Sequence, residues 1–411
     1  MNNKTTADQA LVRELNLSLV FKHIHNEAPV SRAQIAQVTG LNKSTVSSLV
    51  EFLSERKLIH ETGVNNVGTG RPARMLAINP RAGGIIGAEL GVDFVATALT
   101  DFSGNILWRQ TATVDPTDTQ ENTLAQTLEL VNQAIDFSKA QDLPLLGLGI
   151  STPGTVDLEE GILIFAPNLH WRDVQLREFF SDHTGLRVFI ENDANAAAVA
   201  EHLFGVARQH QNFIFVFAGV GIGGGLFLNG ELQRGNNGFA GEIGHSPIMA
   251  EPFQSPCHCG NRGCWETYAN QYSIIQRVNT RLETNQNSII PNLMEEQNAP
   301  LSIAIIKQAA DAGDQEAIDS FTETGMAMGL GFASLINIFN PACIILGGPL
   351  SSVGNYLLPA IKEAAIEHSL SEISSKVDIL ISSFETDSSL YGAISIVVSN
   401  ILSNPAQIIR R

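Results

Sequence analysis

Near the start of the chain Leu11, Leu15 and Leu19, with Val12 and Val20 beside them, recur at helical spacing and predict one amphipathic helix. Ser31 then opens a short helix running to Val38, Thr39-Gly40-Leu41 turns the chain, and Asn42 caps a third helix that ends near Arg56. In the third helix Val46, Leu49, Val50 and Leu53 share one face, while Asn42, Lys43, Ser44, Thr45, Ser47 and Ser48 share the other. Strands are predicted at 58–62 and 73–78, joined by the glycine-rich run 63–72.

From about residue 83 the pattern changes. Residues 85–100 read as two strands of a hairpin, 106–114 as a third strand, 122–139 as a helix and 145–150 as a strand. A strand at 188–190 runs into Glu191-Asn192-Asp193 and an alanine-rich helix to about Phe204. The order restarts at Phe213 with a glycine-rich hairpin, followed later by a strand at 343–346, a helix from about Tyr356, a strand at 377–382 and a closing helix from about Ser388. Three strands, a helix, a strand and a helix, occurring twice, predict two similar α/β lobes with a ligand cleft between them. The expected domains are 1–80, 81–205 and 206–411, the last carrying a cysteine-bearing segment at 239–267 and a helical oligomerisation region.

Two short helices joined by a glycine-containing turn are the helix-turn-helix layout, and a hairpin directly after them is a wing. Ser31, Arg32, Asn42, Lys43, Ser44, Thr45, Ser47 and Ser48 would then approach base edges and phosphates in a major groove. Arg71 and Arg74 would set two cations beside the backbone or minor groove. The plainer alternatives are a three-helix cap with a polar face and a flexible surface loop.

Charge sharpens this division. The 411 residues carry 25 Lys plus Arg against 42 Asp plus Glu, a formal charge of −17 that argues against nonspecific nucleic-acid binding by the whole surface. Residues 1–80 nevertheless hold nine basic against six acidic side chains, so the head is basic and the body acidic. Residues 1–15 are polar and lack the apolar core of a secretion signal, and the glycine-broken apolar run 213–228 falls short of the roughly 20 residues a membrane span needs. The expectation is a soluble cytoplasmic protein without membrane insertion, in which clustered cysteines are metal ligands rather than disulfides.

Three of the four cysteines lie within eight residues, Cys257-His258-Cys259-Gly260-Asn261-Arg262-Gly263-Cys264, shortly after Gly241-Glu242-Ile243-Gly244-His245. Three thiolates and one imidazole complete a closed tetrahedral zinc shell of the structural type. Glu242 and Glu266 flank that shell and are free to bind something else, unless they are plain surface charges. His258 is expected to be exposed and Cys343 to be ordinary core. Asp193 has a second reading as the N-cap of the alanine-rich helix.

The cysteine segment, Glu242-Ile243-Gly244-His245, Asn192-Asp193 and the N-terminal head together resemble the ROK family, whose name joins repressors, open reading frames and sugar kinases. Gly40-Leu41-Asn42-Lys43-Ser44-Thr45-Val46-Ser47-Ser48 and Pro167-Asn168-Leu169-His170-Trp171-Arg172-Asp173 are most similar to the xylose-operon repressors within it. The resemblance implies a winged helix-turn-helix followed by a two-lobed, actin-like ATPase (ribonuclease H-like) body of α/β class with a zinc-binding insertion. It implies one structural zinc per chain on His245, Cys257, Cys259 and Cys264. A monosaccharide would be held by Asn168, Asn192, Asp193, Glu242, His245 and Glu266, whose amides and carboxylates suit hydroxyls that donate and accept at once.

In the family's sugar kinases the residue matching Asp193 is the general base. Those kinases also carry a first hairpin reading Asp-x-Gly-Gly-Thr-Lys, where this chain has Glu89-Leu90-Gly91-Val92-Asp93-Phe94. Asp93 sets an anion beside a polyanion, which costs roughly 1 to 4 kcal/mol at surface dielectrics, and Phe94 removes a cation. The second hairpin, Gly219-Val220-Gly221-Ile222-Gly223-Gly224-Gly225, has Val220 where the kinases have a hydroxyl. The expected function is therefore a sugar-responsive repressor, a homodimer or dimer of dimers on a palindromic operator DNA, released by xylose or, because Asp193 stands where the xylose repressors have Glu, by glucose. The alternatives are a sugar kinase with a fused DNA-binding head and a repressor controlled by a protein partner.

Overall fold

The computed structural model describes residues 9–65, 73–115, 118–248, 255–284 and 287–407. Arg71 and the tip of the expected wing lie outside the described residues.

The head consists of helix α1 (Gln9–Glu27), strand β1 (Val30–Ser31), helices α2 (Arg32–Thr39) and α3 (Lys43–Glu55), and strands β2 (Ile59–Asn65) and β3 (Ala73–Ile78). Ser31 caps α2 through a reciprocal pair of bonds with Gln34, and Gly40 leaves α2 at φ 70°, the left-handed value that ends a helix. Asn42 caps α3 by accepting the Thr45 amide at 2.8 Å. The inward face of α3 is Val46, Leu49, Val50 and Leu53, all buried. The sheet order is β1-β3-β2, with β1 an addition that the sequence did not reveal.

Helix α1 lies where expected but buries a different stripe. Leu17, Val20, Phe21 and Ile24 pack inward, whereas Leu11, Val12, Leu15 and Leu19 are 43–61% exposed. The helix carries two apolar stripes, and periodicity alone does not say which one meets the core.

The body continues with β4 (Gly84–Leu90), β5 (Phe94–Thr100), β6 (Ile106–Thr113), α4 (Gln120–Ala140) and β7 (Leu145–Thr152). Three short strands follow, β8 (Thr155–Asp157), β9 (Ile162–Ala166) and β10 (Trp171–Val174), then α5 (Leu176–Thr184), β11 (Val188–Asn192) and α6 (Asp193–Leu203). The second run is β12 (Phe213–Ala218), β13 (Ile222–Leu228) and β14 (Glu231–Gln233), then helices α7 (Glu266–Ala269), α8 (Gln271–Thr284), α9 (Ile290–Gln297), α10 (Ile303–Asp311) and α11 (Gln315–Phe339). It closes with β15 (Cys343–Gly347), α12 (Gly354–Glu367), α13 (Ser371–Ser374), β16 (Asp378–Ile381) and α14 (Ser388–Ser403).

The two runs build the same sheet. Among the described residues one five-stranded sheet has the order β11-β7-β4-β5-β6 and the other β16-β15-β12-β13-β14 when read in the same sense. In both, the first strand of an antiparallel three-strand meander pairs in parallel with a fourth strand, β7 on β4 and β15 on β12, and a fifth lies beyond it. This is the duplicated α/β body expected of an actin-like fold.

Contacts divide the chain into two compact units. One comprises 1–151, 175–191 and 393–411, and the other 152–174 and 192–392. The division therefore cuts across the expected boundaries near 80 and 205. Within the first unit the head is tied to the body by Phe21, whose ring stacks on Phe102 with centroids 6.1 Å apart. In the second unit the sheet is covered by α8 to α12, with Trp265, Phe321, Phe332 and Leu357 fully buried.

Candidate functional site

The candidate site lies in the second unit, and α6 supplies its first side chains. Asn192 caps α6, accepting the amides of Ala194 at 3.0 Å and Asn195 at 3.1 Å. Its Nδ2 donates to the Gly154 carbonyl at 3.0 Å. Asn192 therefore does the capping, and the adjacent Asp193 carboxylate accepts the Ala194 amide at 2.8 Å and a bond from the Asn192 side chain. Burial raises the Asp193 pKa to about 7, the Ala194 amide opposing and the nearby Glu242 charge adding to the rise.

Glu242 and His245 come next, on the segment that lies along β13. A side chain at Gly241 or Gly244 would collide with the carbonyls of Gly224 and Ile222, so both glycines are needed for this close approach. Glu242 is the most open of the group, 47% exposed, with Oε2 3.7 Å from His245 Nε2. Burial raises its pKa, against the attraction of His245 and with the repulsion of Glu266.

His245 turns its other nitrogen the opposite way. Nδ1 lies 3.4 Å from Glu266 Oε1 and 3.7 Å from Cys257 Sγ. Glu266 opens helix α7, and its second oxygen accepts the Ile222 amide at 3.4 Å. A Cβ on Gly221 would stand 3.0 Å from Glu266 Oε2 and 3.5 Å from Asn168 Nδ2, so the turn of the second glycine-rich hairpin presses directly on both residues. Asn168, Asn192, Asp193, Glu242, His245 and Glu266 thus form one polar group, with three carboxylates able to accept from hydroxyls and two amides able to do both.

The cysteine segment folds as a tight loop against the same residues. Pro247 bridges Cys264 and Pro256 bridges Arg262, bringing donor atoms of His245, Cys257, Cys259 and Cys264 within 4.8 Å of one another. Cys259 and Cys264 are 3.8 Å apart at sulfur. In a tetrahedron with metal–sulfur bonds of about 2.3 Å, sulfur atoms stand about 3.8 Å apart, and sulfur to nitrogen is slightly closer. The donor set therefore fits a metal ion of zinc's size and preference. Burial, followed by a bond donated to Glu266 Oε1 at 2.9 Å, holds the Cys257 thiol above its usual range, and burial raises Cys264 as well. His258 is exposed, and Cys343 is buried core whose thiol burial pushes up to about 12.

Supporting residues that the sequence did not single out complete the site. Trp265 donates from its indole to the Ala327 carbonyl at 2.9 Å, seating α7 on α11. Asn270 donates to the Val220 carbonyl at 2.9 Å and so steadies the hairpin turn. The Tyr268 hydroxyl accepts the Ser255 amide at 2.7 Å. Only Asn270 had a readable signal, as a cap just ahead of a helix.

In the first unit the turn between β4 and β5 is closed over by its own side chain. A Cβ on Gly91 would lie 2.5 Å from Phe94 Cε1, so the Phe94 ring rests against the turn's backbone. In the head, Asn42, Lys43, Ser44, Ser47 and Ser48 are exposed, Thr45 is half-buried and Ser31 is buried in its capping role. Arg74 holds Glu61 in a forked pair at 3.0 and 3.2 Å, with Arg32 3.7 Å from the same carboxylate.

The sequence profile of the ROK family matches residues 85–400. The chain belongs to the ROK family. It is 34% identical over 397 residues to the xylose repressor of Bacillus spizizenii, an alignment covering 96% of this chain and 98% of that one. It is 30% identical over 393 residues to the DNA-binding transcriptional dual regulator NagC of Escherichia coli, covering 96% and 94%. Among solved structures, a ROK family transcriptional regulator described as a homologue of the E. coli MLC protein superposes with a TM-score of 0.81 at 29% identity, covering 96% of this chain and 97% of its own. A ROK family glucokinase from Streptomyces griseus, in complex with glucose and AMPPNP, gives 0.67 at 29% identity over 76% of this chain and 99% of its own. Among the described residues no helix is long and apolar enough to cross a membrane.

Proposed function

We propose that this chain is a cytoplasmic, sugar-responsive transcriptional repressor. The observation that carries the reading is the polar group of Asn168, Asp193, Glu242, His245 and Glu266 in a chain whose head offers the exposed start of α3. The head reads as a winged helix-turn-helix, with α3 as recognition helix and β2 and β3 as the stem of the wing. A homodimer would place two such helices about 34 to 36 Å apart on a palindromic operator. Sugar and operator are then linked by different affinities for two states of the protein, so each weakens the other's binding.

The named relatives support a sugar as the signal. Xylose is favoured, and glucose stays open because Asp193 is shorter than the Glu expected there. Zinc on His245, Cys257, Cys259 and Cys264 would cross-link the segment that carries Glu242 and Glu266, its contribution being rigidity. His245 would bind it through Nδ1 and leave Nε2 on the side of Glu242.

A second reading, sugar kinase, is favoured by one observation: Asp193 keeps a proton affinity suited to a general base near neutral pH. Phe94 resting on Gly91 weighs against it, because a phosphate cradle needs bare backbone. Operator binding by purified protein, relieved by sugar alone, tests the repressor. Sugar-dependent ADP production would replace it with the kinase.

A further inference from the structure

The cysteine cluster has an open side. Cys257 and Cys264 are buried, whereas Cys259 is exposed to solvent. Its sulfur lies 3.8 Å from that of Cys264, so the two need to close by less than 2 Å to reach the roughly 2.05 Å of a disulfide. The four residues between them form a turn in which Gly260 and Gly263 have φ of 93° and 78°, leaving the loop free of side chains where it must bend. Cys257 also contacts both of these thiols, but its own thiol donates to Glu266.

From this geometry we infer that Cys259 and Cys264 are a site of reversible oxidation by hydroperoxides, and that the disulfide they form disables sugar sensing. The inference rests on the metal and sugar reading of the site, in which a bound metal ion would hold both sulfurs as thiolates and the sugar reading supplies the consequence. The Cys259 thiolate attacks the peroxide oxygen, breaking the O–O bond. With one proton taken up, the products are the Cys259 sulfenic acid and water or an alcohol. The Cys264 thiolate then attacks the sulfenic sulfur, forming the S–S bond and, with a second proton, releasing water. Two thiolates lose two electrons and one peroxide gains them.

The disulfide removes two of four donors, leaving His245 and Cys257, a set that no longer closes a tetrahedral shell. A metal ion held by the four donors would then be lost to solvent. The effect reaches the sugar side because Cys264 is two residues from Glu266, with the buried Trp265 between them, and because His245 loses the partner that fixes its orientation. The head belongs to the other compact unit, so operator binding is retained while release by sugar is lost.

The test treats full-length, zinc-loaded protein with hydrogen peroxide. Three quantities are followed: zinc with a chelating dye, the mass of the proteolytic fragment spanning 257–266, and alkylation of each cysteine. The expected result is a Cys259–Cys264 linkage that accumulates in step with the zinc released. Thiol reductant with added zinc reverses both, and the oxidised protein binds xylose at least about tenfold more weakly, the scale on which activity falls when the outer-shell support of a metal site is lost. A Cys259 that stays alkylatable under peroxide, a linkage through Cys257 or Cys343 instead, or a disulfide that leaves zinc bound would each overturn the proposal. These readouts use neither operator nor catalysis, so they stand apart from any failure of the repressor reading. Near-ultraviolet circular dichroism separates local oxidation from unfolding, and loss of its signal in step with the linkage would also overturn it.

Discussion

The thiol of Cys257 donates a hydrogen bond to Glu266 Oε1 at 2.9 Å, so one carboxylate belongs both to the cysteine cluster and to the polar group around His245. The same oxygen lies 3.4 Å from His245 Nδ1. Any change at the cluster therefore changes where Glu266 can point.

Replacing Cys257 by Ser tests that link. The substitution removes one metal donor, where loss of even an outer-shell partner typically costs about 10 to 100-fold in metal affinity or activity. The account predicts a sugar dissociation constant raised by that factor in calorimetric titration, with operator affinity within about twofold of the unaltered chain. A variant that binds and responds to sugar normally would remove the metal cluster from the mechanism.

Gly221 offers a test on the opposite side of Glu266. A Cβ there meets Glu266 Oε2 at 3.0 Å and Asn168 Nδ2 at 3.5 Å, and the first contact is too tight to keep without movement. Gly221→Ala should weaken sugar binding roughly tenfold, about 1.4 kcal/mol, while thermal stability changes little. Crystallography of the variant should find the Glu266 carboxylate displaced.

Asp193 gives the site a pH dependence. With a native pKa near 7 against a usual value of 3.8, folding favours the protonated form. Stability from this group is fully present below pH about 4 and is lost as pH rises through 7. Asp193→Asn should therefore raise the unfolding midpoint relative to the unaltered chain at pH 8 and leave it unchanged near pH 4. Sugar affinity should follow the opposite course, rising between pH 6 and 8 as the better acceptor forms, and the Asn variant should lose that rise.

In the head, capping and contact are separable. Asn42 accepts the Thr45 amide and the Ser44 hydroxyl, so Asn42→Ala should cost about 1 kcal/mol of stability. Lys43 is exposed at the start of the same helix, and Lys43→Ala should lower the slope of operator affinity against salt by about one without altering stability. Equal effects of both variants on the salt slope would contradict this division.

Much of the fold was legible because its signals are local. The strands and helices of both lobes follow alternating or helical apolar spacing, and the inner face of α3 holds in every named residue. The three short strands β8 to β10 were not legible, since runs of three to five residues carry too little periodicity. Nor was the long helix α11, whose exposed stripe mixes Glu323, Ser334 and Asn337 with the apolar Met326 and Ile338 and so gives no clean polar face. The exposed Leu11 and Leu15 make the same point, because α1 has two apolar stripes and only tertiary packing selects one.

At the site, residue types and spacing identified the donors, but partnerships needed coordinates. That Asn192 rather than Asp193 caps α6 depends on which side chain reaches the Ala194 and Asn195 amides. That Gly221 abuts Glu266 joins positions 45 residues apart in the sequence. That Phe94 lies over Gly91 follows from a side-chain direction that no sequence pattern encodes.

The most direct measurement is release of purified protein from its operator across a panel of pentoses and hexoses, with ATP absent and then present. The account predicts release by one sugar, xylose foremost, at the same concentration in both conditions and with no ADP formed. Operator binding unmoved by every sugar, or sugar-dependent ADP production, would contradict it.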